Sequence, residues 1–216
     1  MNFSVIITAG GTSSRYGNKN KLLEKIDYKT VIEHSSEPFL KFKEISQIII
    51  PANISITEDL KKIFVNNMNI SIIEGGNTRQ ESVYKALQKV SEEYVIIHDG
   101  ARPLVTEEII ENVIKSVREK GAVTVMTKTT DTIKEVDKNG RIIKTIDRSK
   151  LYNTQTPQAF KTELIKDAHN KLKGGNYTDD ASMLEELGIP VYITDGSYTN
   201  IKITSKSDLD FAKIYI

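Results

Sequence analysis

The chain has 216 residues, with 30 Lys and Arg against 29 Asp and Glu, a formal net charge of +1 and no cysteine. That length suits one domain able to bury a core, so residues 1–216 are read as a single domain. The balanced charge excludes a global field drawing the protein to nucleic acid or an anionic membrane, and the absent thiols exclude disulfides, thiolate zinc sites and a cysteine nucleophile, in keeping with a reducing, cytoplasmic setting.

The amino terminus has no charged leader and its apolar run stops at Gly10, so neither a signal peptide nor a membrane span is expected. That run, FSVIIT, predicts the first strand, and QIIIP, ISIIEGG, YVIIHDG and AVTVMT predict four more. Near-continuous Ile and Val suits strands covered on both faces. Between them TVIEHSSEPFLKF, TEDLKKIFVNN, TRQESVYKALQKV and TEEIIENVIKSVREKG predict helices. Thr78 with Glu81 has capping-box spacing, Thr106 is followed by two glutamates in a first turn, and Gly121 supplies a stop. The alternation predicts an α/β fold, Rossmann-like and three-layered, with a mainly parallel central sheet.

One segment, at about 131–150, breaks the alternation. Thr132, Lys134 and Val136 precede an Asn139-Gly140 pair and Ile142 to Thr145 follow it, and Asn-Gly suits a type I′ turn, so a β-hairpin arm projecting from the sheet is expected. A solvated surface hairpin and a subunit contact both fit this pattern. An isolated hairpin is marginal in water, so a covering is expected.

In an open α/β sheet, ligands bind outside the carboxyl ends of the strands. Four loops fall there: Gly10 to Lys21, Gly75 to Ser82, His98 to Arg102, and Thr127 to Thr132. The first joins Gly10 and Gly11 to Arg15, Lys19 and Lys21, a setting for an anion, yet lacks both Gly-x-Gly-x-x-Gly and the Gly-Lys-Ser/Thr ending of a P-loop. Hydride transfer and P-loop ATP chemistry are therefore disfavoured. His98 at a strand end is more often a satisfied core histidine than a catalyst. Asp99, just beyond a buried strand, needs a partner such as a hydroxyl, an arginine or a divalent cation, and Arg102 is near enough in sequence to serve.

The ordered set TAGGTSSRYG, KNKLL, EGGNTRQESVYKAL, VIIHDGARPLV, TIDRSKLYNTQTPQAF, TDDASMLEELG and NIKITSKSDL resembles the cytidylyltransferases that act on 2-C-methyl-D-erythritol 4-phosphate, over essentially the whole chain. The resemblance implies a nucleotide-diphospho-sugar transferase-like fold, CTP and a polyol phosphate as substrates, Mg²⁺, and a homodimer joined through the arm. It implies that Ala9, Gly10, Gly11, Thr12 and Ser13 wrap the triphosphate and that Arg15 and Lys21 hold the phosphates through the transition state. Gly76, Asn77 and Ser82 match contacts to cytosine and ribose, Asp99 a ribose and metal-side aspartate, and Lys202 a further phosphate contact. Arg102, Thr132, Arg148 and Thr156 match the surroundings of the methylerythritol phosphate. Ser13, Leu22 and Tyr152 depart from the family's common glycine, glutamine and tryptophan. A ribitol 5-phosphate cytidylyltransferase and a catalytically silent nucleotide-binding regulator are the rival readings.

Overall fold

The structure is a computed structural model and describes residues 2–11, 16, 20–175 and 177–216. In chain order its first half holds β1 (Phe3–Thr8), β2 (Lys25–Ile26), β3 (Lys29–Thr30), α1 (Val31–Ser36), β4 (Ile45–Ala52), α2 (Thr57–Ile63), β5 (Ile70–Glu74), α3 (Arg79–Leu87) and β6 (Tyr94–Asp99). There follow α4 (Glu107–Lys120), β7 (Ala122–Lys128), β8 (Lys134–Val136), β9 (Ile142–Thr145), β10 (Tyr152–Lys161), α5 (Thr162–Lys171), α6 (Ala181–Glu186), β11 (Tyr192–Asp195) and α7 (Lys206–Ala212).

Among the described residues seven strands form one sheet in the order β11-β7-β10-β6-β1-β4-β5. Every neighbouring pair is parallel except those of β10, which runs antiparallel to both β6 and β7. Helices cover both faces because β1 sends alternate side chains each way. Phe3, Val5 and Ile7 join a cluster with Ile110 and Val113 of α4, whereas Ile6 joins the other with Val83 and Leu87 of α3 and Ile165 of α5. Each such side chain, removed from water, contributes roughly 1.5–3 kcal/mol. The expected three-layer α/β fold with a mainly parallel sheet is observed, and its most buried strands are those that end at the site.

The details differ from expectation in four places. The helix expected over TVIEHSSEPFLKF stops at Ser36 and continues as a 3-10 turn from Glu37 to Lys41, since Pro38 has no N–H for an α-helical bond. Thr78 caps α3 through the N–H of Glu81 at 3.0 Å, but the Glu81 carboxylate accepts from Asn77 N–H at 2.7 Å, so half of the capping box forms. β10 is a strand despite its polar sequence YNTQTPQAFK: most of its carboxyl-terminal half is buried between β6 and β7. The arm is a hairpin of β8 and β9, but its turn is not type I′. That type needs positive φ at both central residues, and Asp27 is the one described non-glycine residue with positive φ. Instead Gly140 (φ 82) donates its N–H to the Asp137 carbonyl at 3.0 Å, and the Asp137 carboxylate accepts from Asn139 and Arg141 N–H groups. The Asp137 side chain thus sets the turn, and the ladder slips by one residue beside it.

Candidate active site

The carboxyl ends of β1 and β6 open onto a cavity of about 350 Å³ whose wall includes Gly10, Gly11, Lys21, Asn77, Asp99 and Lys202. A second cavity of about 410 Å³ is walled by Arg102, Gln155, Thr156 and Asp179 among others. Arg79, Asp99 and Lys202 belong to both and form the partition between them. Of the four loops expected to converge, residues of the first three line these cavities. The segment Thr127 to Thr132 lines neither and leads into the arm.

The glycine loop sits close against α3. A Cβ placed on Gly10 would stand 2.5 Å from Ser82 Oγ, so Gly10 alone lets β1's exit run beside that helix. Ser82 Oγ accepts the Gly76 N–H at 2.9 Å and donates to the Thr78 carbonyl at 2.9 Å. Its hydroxyl proton is committed, so Ser82 clasps the Gly76 loop and Asn77 is left as the neutral side chain on the wall beside it. Ala9 stands behind the wall: its N–H donates to the Pro51 carbonyl and its C=O accepts from Asn53 N–H, each at 3.1 Å. It has no N–H to offer a phosphate. Lys21 begins a short 3-10 turn capped by the Asn20 side chain, and its ammonium donates to the Ile203 carbonyl at 2.6 Å on the cavity wall. Thr12, Ser13 and Arg15, expected here, lie outside the described residues.

Asp99 is the electrostatic centre. Lys202 Nζ lies 2.7 Å from Oδ2, Arg102 Nε 3.8 Å from Oδ2, Arg79 Nε 3.4 Å from Oδ1, and Thr8 donates its hydroxyl to Oδ1 at 3.3 Å. Burial would push this carboxyl up, but Arg79, Lys202 and Arg102 outweigh burial and hold it well below the usual carboxylate range. Arg102 donates to the Asn200 carbonyl at 2.6 Å, and burial lowers its own pKa. Asp99 N–H donates to Thr156 Oγ1 at 3.0 Å, and Thr156 Oγ1 lies 3.1 Å from His98 Nδ1. The Arg102 carbonyl, 3.2 Å from Nε2, can only accept, so in the neutral ring Nε2 carries the proton and Nδ1 accepts from the Thr156 hydroxyl. Burial pushes the His98 pKa down to about 4, in accord with this neutral tautomer. His98 is therefore the satisfied core histidine expected, and Thr156 fixes the Asp99 loop with its own proton already engaged.

Magnesium is commonly bound through one or two carboxylates together with substrate phosphates. Asp99 is the one carboxylate on the described wall of the first cavity, and no group of three or more His, Asp or Glu side chains suited to a metal stands among the described residues. The donor set fits a cation carried by a substrate's phosphates and touched by the protein at one carboxylate. It does not form a cage that would hold a cation by itself.

Ala9 and Gly76 line neither cavity but lie behind their walls, and two further expected residues stay farther off. Thr132 and Arg148 are exposed on and beside the arm, line neither cavity, and Arg148 donates to the Thr130 carbonyl. Sequence reasoning missed Arg79 and its partner Asp180, whose Oδ2 lies 2.7 Å from Arg79 Nη1. A signal existed: Arg79 is the first residue of α3, where the helix dipole disfavours a cation.

The family model described as 2-C-methyl-D-erythritol 4-phosphate cytidylyltransferase matches residues 3–216. Proteins of that name from Bacillus cytotoxicus and Clostridium tetani are 39% and 41% identical, over 99% and 98% of this chain and 97% and 89% of their own lengths. The crystal structure of a 4-diphosphocytidyl-2C-methyl-D-erythritol synthase from Anaerococcus prevotii matches with a TM-score of 0.88 at 32% identity, covering 99% of this chain and 97% of that one. Among the described residues no helix is long and apolar enough to cross a membrane.

Proposed function

The chain belongs to the 2-C-methyl-D-erythritol 4-phosphate cytidylyltransferase family, and from that premise we propose that its two adjoining cavities receive the two substrates of one reaction. It is a nucleotidyltransferase that transfers the CMP moiety of CTP to 2-C-methyl-D-erythritol 4-phosphate, giving 4-diphosphocytidyl-2-C-methyl-D-erythritol and pyrophosphate in the non-mevalonate isoprenoid pathway. The observation that carries the assignment of cavities is the shared partition of Asp99, Lys202 and Arg79. CTP occupies the cavity beneath Gly10 and Gly11, with Asn77 beside the base, and the polyol phosphate enters the cavity of Arg102.

The nucleophile is an already ionised phosphate, so no general base is needed, and the barrier is the approach of two anions. Lys21, Lys202 and Arg15 supply the positive charge that offsets charge growing on the α-phosphorus oxygens, and such contacts typically contribute about 10²–10³ in rate each. Asp99 holds Lys202 at 2.7 Å before substrate arrives, so the ammonium is aimed without reorganisation. Mg²⁺ carried with CTP, with Asp99 as its protein contact, would neutralise phosphate charge. Two chains complete the sites, each arm offering Thr132 and Arg148 to its neighbour. Support comes from the exposed apolar residues Ile133, Val136, Ile142 and Ile143 of the arm, which need a cover. The enzyme works in the cytoplasm, a reading that its lack of cysteine supports.

The test offers CTP and Mg²⁺ with either methylerythritol 4-phosphate or ribitol 5-phosphate and measures pyrophosphate release. The first should react far faster, because buried polar groups left unpaired reject a wrongly built polyol. Equal or reversed rates would transfer the assignment to the ribitol branch.

A further inference from the structure

Two residues break local rules and meet each other. Arg79 begins α3, where a positive charge opposes the helix dipole. Asp180 precedes α6 at the capping position, yet its side chain makes no cap; Asp179 accepts the Ser182 N–H in its place, at 3.1 Å. The Asp180 carboxylate turns inward, 1% exposed, with Oδ2 2.7 Å from Arg79 Nη1 and Oδ1 3.1 Å from His169 Nε2. Its N–H is fixed by the Gln158 side chain of β10 at 3.1 Å. Arg79 reaches the other way to Asp99, Nε to Oδ1 at 3.4 Å. A chain of alternating charge thus runs from Asp180 through Arg79 and Asp99 to Lys202. Local rules broken in concert mark a function held against local preference.

We propose that Arg79, anchored by Asp180, is a positioning residue for the transfer reaction: it fixes the Asp99 carboxylate, and through it the Lys202 ammonium, in the partition between the two substrates. This rests on the reading that the two cavities hold CTP and the polyol phosphate. A planar guanidinium spreads its donors over a rigid fork that spans two carboxylates set apart, whereas a lysine presents its donors at one compact point. Without Asp180, Arg79 has only Asp99 to pair with and draws it from Lys202. Asp180 itself lines neither cavity and acts only through Arg79.

The experiment measures pyrophosphate release from CTP and methylerythritol 4-phosphate for wild type, Asp180→Asn, Arg79→Lys and the double variant. Calorimetric titration with CTP counts competent sites and gives CTP affinity. Each single change should lower kcat per CTP-binding site by about ten- to a hundredfold, the scale of a small misplacement of reacting groups. The double variant should be no slower than the slower single, as expected for two parts of one link. A merely structural role would reduce the number of competent sites and leave kcat per site unchanged. Values of kcat per site within about threefold of wild type in both singles, or losses that multiply in the double, would overturn the proposal. If Asp180→Asn does not fold, Arg79→Lys, which keeps the charge, decides between the same outcomes. A wild type that releases no pyrophosphate with this polyol phosphate would instead reject the underlying assignment of substrates.

Discussion

The partition between the cavities and the hairpin arm both set carboxylates beside lysines and arginines, yet the two groups of charges have different tasks because one is buried and the other is not. Asp99 has a side chain 8% exposed and faces three cations. On the arm Lys144 pairs with Glu135 at 3.0 Å and Arg141 with Asp137 at 3.1 Å, where water competes for every contact. Charge taken out of water interacts strongly, and removing one partner strands the rest. Exposed pairs are screened and contribute little. The partition is therefore held by strong contacts before substrate binds, while on the arm the ion pairs add little to the turn that the Asp137 carboxylate sets through backbone N–H groups.

The largest expected difference is in stability. Asp99→Asn strands the buried Arg102 without its carboxylate, while Arg79 keeps Asp180 and Lys202 reaches solvent, and should lower the unfolding free energy by about 3–5 kcal/mol. Glu135→Gln on the arm should change it by less than about 1 kcal/mol. Denaturant titration of the two variants makes the comparison, and equal losses would erase the distinction drawn between the regions.

Next in size is a test of whether the arm serves another chain's partition. Lys21→Ala and Arg148→Ala should each lower kcat at least about 10²-fold. Mixed and allowed to exchange subunits, they form about half mixed dimers, in which one site has both residues intact, so roughly a quarter of wild-type activity should return by symmetry. Activity that stays at the sum of the separate variants after verified exchange would leave Arg148 to its own chain or to structure alone.

The smallest effect is a slope. His98 locks the Asp99 loop as a neutral ring with its pKa lowered to about 4 from 6.5. Between those values the unfolded chain takes up a proton that the folded chain refuses, so stability falls as pH falls through that window and levels off below it. From pH 7 to 5 this group alone should cost about 2 kcal/mol. His98→Asn, compared with wild type at pH 7 and 5 by denaturant unfolding, should show that much less loss. Parallel pH dependence in both proteins would mean that His98 protonates freely in the fold. The arm has no histidine.

The strands rich in Ile and Val were legible because burial on both faces leaves a run of one residue type, as in β1 and β6. β10 was not: its burial comes from being inserted between β6 and β7, a tertiary fact its Asn, Thr, Gln and Pro residues do not announce. Gly10, Gly11, Lys21, Asp99 and Lys202 were legible as a site through their ordered motifs, and the structure gathers them on one wall. The roles of Ser82 and Thr156 were harder to read, because a hydroxyl's task depends on where its proton goes, and that is decided by Thr78 and His98. Arg79 gave a local signal, a cation opening α3, but one that did not reveal its role. Its anchoring carboxylate, Asp180, lies about a hundred residues away, beyond any local pattern.

The position of the arm has a consequence for how such a protein can change over time. β7 and β10 are antiparallel neighbours, and Lys128 and Tyr152 sit opposite one another where the arm leaves and rejoins the sheet. The whole excursion is topologically the loop of an ordinary hairpin. Lengthening such a loop from a few residues to about twenty costs only on the order of 1 kcal/mol in closure entropy. The arm can therefore be lengthened, exchanged or rewritten between those two residues at a small closure cost to the sheet beneath it, which makes it an interchangeable module on a fixed frame of strand pairing.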